Sequence, residues 1–236
     1  VFGDWSSDVC SSDLFFMPVR RAVLFANGEL KNNEWLKAFL REDDFLVAVD
    51  GGLNHLEALG LTPDLLLGDL DSVTPAQVER AQAAGAEIRR YPPAKDETDL
   101  ELALLAARER GFAEIVVVGA LGGRLDQTLG NLSPLLMPQL EGCSVRFEDG
   151  SDEVFVILAS AEIHGQPGDI VSLLPLWGEV TGVVTTHLAY PLNTETLHPE
   201  RTRGISNVMT ASTANVEIAS GNLLCIHTKQ QELEKK

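Results

Sequence analysis

Residues 45–72 read FLVAVDGGLNHLEALGLTPDLLLGDLDS. Two short apolar runs, FLVAVD (45–50) and DLLLGD (64–69), flank a helical pattern, and each ends in Asp beside Gly. Neither run alternates apolar with polar residues, so both suit strands covered on two faces. The same grammar continues on either side, in AVLFA (22–26), EIRRY (87–91), EIVVVGA (114–120) and SVRFE (144–148), and only EIRRY is not largely apolar. The helices between them have readable ends. Thr74-Pro75-Ala76-Gln77 is a capping box with proline at the first helical position. Thr98-Asp99-Leu100-Glu101 is a second, opening a helix that closes on Arg108 and Arg110 before Gly111. Alternating β and α elements predict a doubly wound, mainly parallel α/β sheet.

After Asp149 the helical period stops. EVFVIL (153–158), DIVSLLPL (169–176), EVTGVVTT (179–186), ANVEIA (214–219) and LLCIHT (223–228) follow, separated by Gly, Pro, Asn or Ser. This pattern predicts a small antiparallel β-sandwich or barrel. The expected organisation is an α/β domain over 17–149, a β-sandwich domain over 150–228 and a charged tail over 229–236. Residues 1–16, VFGDWSSDVCSSDLFF, have no strand or helix period and lack the basic region of a signal peptide. DWSSDVCSSDL resembles the translated read-through of a sequencing adapter, so the natural chain is expected to begin at Met17. A natural tail without structure is the alternative.

The chain has 236 residues and a formal net charge of −17. That acidity argues against nucleic acid and anionic lipid as partners. It leaves open a polyanionic substrate held through divalent cations. No run reaches the ~18 apolar residues of a membrane span. Cys10, Cys143 and Cys225 are too sparse for a disulfide framework and point to a reducing cytoplasm. No zinc spacing, no G-x-x-x-x-G-K-[ST], no G-x-G-x-x-G and no G-x-S-x-G occurs.

Open parallel sheets bind ligands beyond the carboxyl ends of their strands. Four successive strand ends carry Asp there: Asp50-Gly51-Gly52, Gly68-Asp69-Leu70-Asp71-Ser72, Lys95-Asp96-Glu97-Thr98-Asp99, and Gly122-Gly123-Arg124-Leu125-Asp126-Gln127. Each has an ordinary reading. Asp-Gly-Gly makes turns, Asp69 and Asp71 suit a loop or cap, Asp99 suits a helix N-terminus and Arg124 suits a surface. Together, clustered carboxylates repel one another unless cations occupy the gap. Hard oxygen ligands suit Mg²⁺, which binds a few carboxylates plus phosphate. Lys95 and Arg124 could neutralise phosphate oxygens directly. The residues alone predict a Mg²⁺–nucleotide site.

In this order, the four motifs resemble those of the thiamine pyrophosphokinase family. Gly204-Ile205-Ser206-Asn207 extends the resemblance into the second region, so that it spans nearly all of Met17 to Thr228. The resemblance implies transfer of the pyrophosphoryl group of ATP to the thiamine hydroxyl, giving thiamine diphosphate and AMP. It implies Asp69, Asp71 and Asp99 as metal and triphosphate ligands, with Asp50 in support. Arg124 and Lys95 would stabilise charge, and Gly51, Gly52, Thr98, Asp126 and Gln127 would surround nucleotide or substrate. Ser206 and Asn207 would bind thiamine. A homodimer with active sites at the subunit interface is also implied. No general base is evident; Asp96 is either a ligand or a solvated loop residue, Trp177 either stacks on substrate or packs on the core or surface, and His187 and His198 receive no role. The alternatives are a diphosphotransferase acting on a pterin-like alcohol, a non-catalytic thiamine or nucleotide sensor, and a metal-dependent phosphohydrolase.

Overall fold

The structure, a computed structural model, describes residues 20–30 and 33–230. The segment 1–16 and residues 231–236 of the tail lie outside the described residues. Strands and helices alternate as β1 (Arg21–Phe25), α1 (Asn33–Phe39), β2 (Phe45–Val49), α2 (Leu53–Leu59), β3 (Leu65–Gly68), α3 (Pro75–Ala83), β4 (Glu87–Arg90), α4 (Asp99–Glu109), β5 (Glu114–Val118), α5 (Leu125–Leu132) and β6 (Ser144–Glu148). Eight strands follow: β7 (Asp152–Ile157), β8 (Ser160–His164), β9 (Ile170–Leu174), β10 (Val180–Thr186), β11 (Glu195–Leu197), β12 (Asn207–Val208), β13 (Thr213–Glu217) and β14 (Leu223–Thr228). β8, β11 and β12 were not anticipated from the sequence. SAEIH, ETL and NV are short, and none carries a long apolar signal.

Both predicted capping boxes form. Thr74 accepts from Gln77 N and Thr98 from Glu101 N, while each partner's side chain reaches back to the cap backbone. The continuous apolar runs are buried on both faces, as expected: Leu65, Leu66 and Leu67 are all 0% exposed. Burying each such leucine contributes about 1.5–3 kcal/mol. One face of β1, β2, β3 and β5 packs with α4, the other with α1, α2 and α3.

The two regions share a sheet. Ten strands run in the order β12-β9-β14-β7-β6-β5-β1-β2-β3-β4. β6 to β4 are parallel, and β6 joins β7 as an antiparallel hairpin. The predicted boundary at Gly150 is therefore the turn of that hairpin. Gly150 has φ +89, and a Cβ there would come within 2.8 Å of the Trp35 ring. The second sheet, β11-β10-β13-β8, packs on the β9/β14/β7 end and completes the sandwich around Ile157, Val171, Leu173, Val183 and Val216. Among the described residues no helix is long and apolar enough to cross a membrane.

β6 lies where the helical cover ends and the second sheet begins. Its Arg146 and Glu148 share a face with Val116 and Val118 of β5, beneath α1 to α3. On the other side, Glu148 is opposite Glu153, and Glu153 opposite His227. Charged side chains fill the seam. Arg146 meets Glu114 at 3.0 Å and Glu153 at 3.6 Å, and Lys229 meets Glu148 at 3.2 Å. His227, 0% exposed, lies between Glu153 Oε2 at 3.5 Å and Asp169 Oδ2 at 3.1 Å.

Candidate functional site

Strand order places the site. β2, β3 and β4 lie to one side of β1, and β5 and β6 to the other. The connections thus reverse direction beside β1, which opens a crevice at the carboxyl ends of β1 and β5. The backbones nearly touch there. Gly28 N donates to Gly119 O at 2.7 Å, and a Cβ on Gly28 would sit 2.3 Å from that oxygen. His55 Nε2 donates to Gly28 O at 2.8 Å. Asn27 packs against Gly51, where a Cβ would meet its amide at 2.3 Å. A Cβ on Gly52 would sit 1.7 Å from Phe25 O. Gly51 and Gly52 therefore serve chain packing, which lets the Asp50 turn sit on the end of β1. Sequence reasoning missed Asn27, Gly28 and His55. An Asn-Gly pair directly after the first apolar run was the available signal.

Asp50, Asp69 and Asp99 converge. One carboxylate oxygen from each lies within 4.8 Å of the others. They come from the turn after β2, the end of β3 and the first residue of α4. Gly68 makes the approach possible: at φ +139, its Cβ would be 3.0 Å from Asp50 Cβ and 3.3 Å from Asp99 Cγ. Asp50 itself has φ +46, a left-handed conformation that Asp tolerates better than most residues. The expected trio had Asp71 in place of Asp50. Leu70, buried with φ +63, turns the chain so that Asp71 is exposed and outside the convergent group. Asp71 still adjoins it, donating its N–H to Asp69 Oδ1 at 3.2 Å and accepting from Ser72 Oγ at 3.0 Å.

Asp99 Oδ1 is buried and accepts no hydrogen bond. The Lys95 ammonium lies 3.0 Å from it as an ion pair. Three convergent carboxylates and one buried, unbonded oxygen fit a hard divalent cation such as Mg²⁺. Thr98 is spent on its cap, as Asp96 and Glu97 pass through the exposed loop before it.

The fourth motif stands across the crevice, after β5. Arg124 stands just before α5 and grips Asp126 with two hydrogen bonds, of 3.1 and 2.6 Å. The Arg124 hydrogen bond holds the Asp126 carboxyl below the usual carboxylate range. Both residues and Gln127 are exposed, as are Leu125 at 72% and Leu129 at 54%. Asp126 does not join the other three carboxylates.

Ser206 and Asn207 lie far away, at the start of the edge strand β12. Seven strand spacings separate β12 from β2, roughly 34 Å along the sheet. Asn207 is fully engaged within the chain: its Oδ1 accepts from Tyr190 N at 2.9 Å, and its Nδ2 donates to Tyr190 O at 2.7 Å. It holds Tyr190, 64% exposed, beside Ser206 and Ile205. Ser206 has φ +57, and its N–H bonds Ser172 Oγ at 3.0 Å, which leaves its side chain outward. Trp177 packs on the main core, His187 bonds Thr213 O and His198 pairs with Glu179. A cavity of about 770 Å³ opens at the opposite end of β6, lined by Cys143, Arg146, Phe155 and Leu158 among others, and contains none of the expected site residues.

Comparison with known proteins finds two family models that match the chain in succession. Residues 36–147 match the family model "Thiamin pyrophosphokinase, catalytic domain". Residues 160–224 match "Thiamin pyrophosphokinase, vitamin B1 binding domain". The thiamine pyrophosphokinase of Bacillus subtilis (strain 168) is 28% identical over 196 residues, covering 82% of this chain and 91% of that one. Thiamine pyrophosphokinase 1 of Oryza sativa subsp. japonica is 29% identical, covering 77% and 76% of the two chains. The crystal structure of the Bacillus subtilis protein superposes with a TM-score of 0.80 at 26% identity, over 90% of this chain and 100% of that one. With both its halves matched in order, the chain belongs to the thiamine pyrophosphokinase family of enzymes.

Proposed function

We propose that the protein transfers the pyrophosphoryl group of ATP to the hydroxyl of thiamine. The hydroxyl oxygen bonds to Pβ, the bond from Pβ to the oxygen bridging Pα breaks, and AMP leaves. The hydroxyl proton goes to a carboxylate of the rim. The observation that carries this reading is the convergence of one carboxylate oxygen each from Asp50, Asp69 and Asp99 within 4.8 Å. Mg²⁺ would be held by these three, with Asp71 alongside, and would supply neutralisation of the phosphate oxygens. The protein's own share is positioning and charge. Lys95 and Arg124 approach the crevice from its two sides and would stabilise the transferring group. Exposed Gln127 and Asp126 flank the same opening.

Ser206 is too far from the carboxylates to share a substrate with them inside one chain. This favours a homodimer in which one chain lends its Ser206 region to the carboxylates of the other. Exposed apolar side chains flank both half-sites, Leu125 and Leu129 beside Arg124, Tyr190 and Ile205 beside Ser206. Such patches mark contact surfaces. A cytoplasmic setting agrees with the substrates and the free thiols of Cys143 and Cys225.

The test is incubation with ATP, Mg²⁺ and thiamine, resolving nucleotides and thiamine esters by chromatography. Thiamine diphosphate and AMP should appear in equal amounts. Phosphate released without thiamine would instead mark a phosphohydrolase, and AMP formed only with a pterin-like alcohol a different acceptor.

A further inference from the structure

Lys95 belongs to the site proposed above, and the inference rests on that reading. The Lys95 ammonium lies 3.0 Å from Asp99 Oδ1 and donates to Pro92 O at 3.3 Å. Its side chain is only 12% exposed, so the pair is not a freely solvated surface contact. Yet Oδ1 accepts no hydrogen bond, so the ammonium neutralises this oxygen without satisfying it. Asp50 and Asp69 each bring an oxygen within 4.8 Å of the one offered by Asp99. A small divalent ion among the three would be attracted by three charges, and Lys95 is the cation already beside one of them.

We infer that Lys95 is a resting counter-ion for Asp99. A divalent cation displaces it from Oδ1, and the freed ammonium, on a flexible four-carbon stem, turns to the triphosphate that accompanies the cation. Competition of this kind lowers apparent metal affinity by the fraction of time that Asp99 is free. A half-buried pair that is closed roughly 70–90% of the time weakens metal binding about three- to tenfold. Nucleotide repays that loss by giving the ammonium a new partner. The site thus favours metal arriving with nucleotide over metal alone.

Two measurements test this without turnover. Mn²⁺ binding is titrated by electron paramagnetic resonance of the free ion, with no nucleotide or thiamine present. Lys95→Met should bind Mn²⁺ about three- to tenfold more tightly than the natural protein. Equal or weaker binding, or no binding to either protein, overturns the inference. Loss of a nearby positive charge would also tighten binding, so a second readout is needed. In the natural protein, acetylation of Lys95 by an amine reagent is followed by mass spectrometry, with exposed Lys37 on α1 as reference. Mg²⁺ alone should raise Lys95 labelling severalfold, and Mg²⁺ with a non-hydrolysable ATP analogue should reduce it again. Labelling indifferent to Mg²⁺ overturns the inference whatever the affinities. Failure to form thiamine diphosphate would sink the proposed reaction and leave both readouts intact.

Discussion

Asp71 and Gly68 separate chemistry from packing within five residues. Asp71 is exposed and bonds only to its neighbours Asp69 and Ser72 among the hydrogen bonds described. Asp71→Asn therefore costs the fold little. By removing a charge beside the proposed metal ligands it should lower turnover about 100-fold or more. Near-normal turnover with an unchanged melting curve would take Asp71 out of the site. Gly68→Ala works the other way. A methyl group at φ +139 would press on Asp50 and Asp99 together. We expect a loss of about 2–3 kcal/mol in urea unfolding, with Mn²⁺ affinity falling too. A variant as stable as its parent would mean that the turn can relax without moving the carboxylates. The residue types at the site were readable from the chain, since Asp beside Gly at strand ends has few other uses in combination. The membership of the trio was not. It depends on the left-handed turns at Asp50 and Leu70, and a motif written as letters does not record which way a side chain leaves the backbone.

At the element scale, α4 links a local signal to the site. Thr98 accepts from Glu101 N at 3.2 Å, and Glu101 Oε2 accepts from Thr98 N at 2.6 Å. This reciprocal cap fixes where the helix starts, and so where Asp99, its first residue, points. Thr98→Ala should cost about 1 kcal/mol. It should also raise the Mg²⁺ concentration needed for half-maximal activity, and Thr98→Ser should restore both. Rescue of stability without rescue of the Mg²⁺ requirement would show that the cap does not position Asp99. Capping boxes and apolar runs were legible because their causes are local: a hydroxyl three residues from a carboxylate or carboxamide, or four apolar side chains in a row. β8, β11 and β12 were not legible. Their pairing comes from strands distant in the chain, β8 with β13 and β12 with β9, and no short window holds that information.

At the scale of the whole molecule, the switch from α/β to all-β composition was visible, but the shared ten-stranded sheet was not, because the Asp149-Gly150 turn that marks the switch also pairs β6 with β7. That sheet carries the charged seam, and the seam sets a pH dependence. Burial pulls the His227 pKa down, but its bonds to Glu153 and Asp169 outweigh this, so the net direction is up from 6.5. A raised imidazole contributes stability that is complete below its unfolded value and fades as pH rises through the folded one. Urea stability should thus fall as pH rises above 6.5 through the raised His227 value. His227→Gln should be about 2 kcal/mol less stable near neutrality and lack most of that slope. An unchanged slope would place the sensitive group elsewhere. The same sheet also keeps Ser206 roughly 34 Å from the carboxylates, which gives the dimer a sharp test. Asp99→Asn removes a proposed metal ligand, and Ser206→Arg would block the proposed opposite half-site; each protein alone should be nearly inactive. Unfolded together and refolded as an equal mixture, half of the dimers would carry one chain of each kind. In these, one site has both defects and the other has none. The mixture should therefore recover about one quarter of the natural activity. A mixture as inactive as its components would mean that each chain builds its site alone, and the distance between Ser206 and Asp99 would then exclude Ser206 from it.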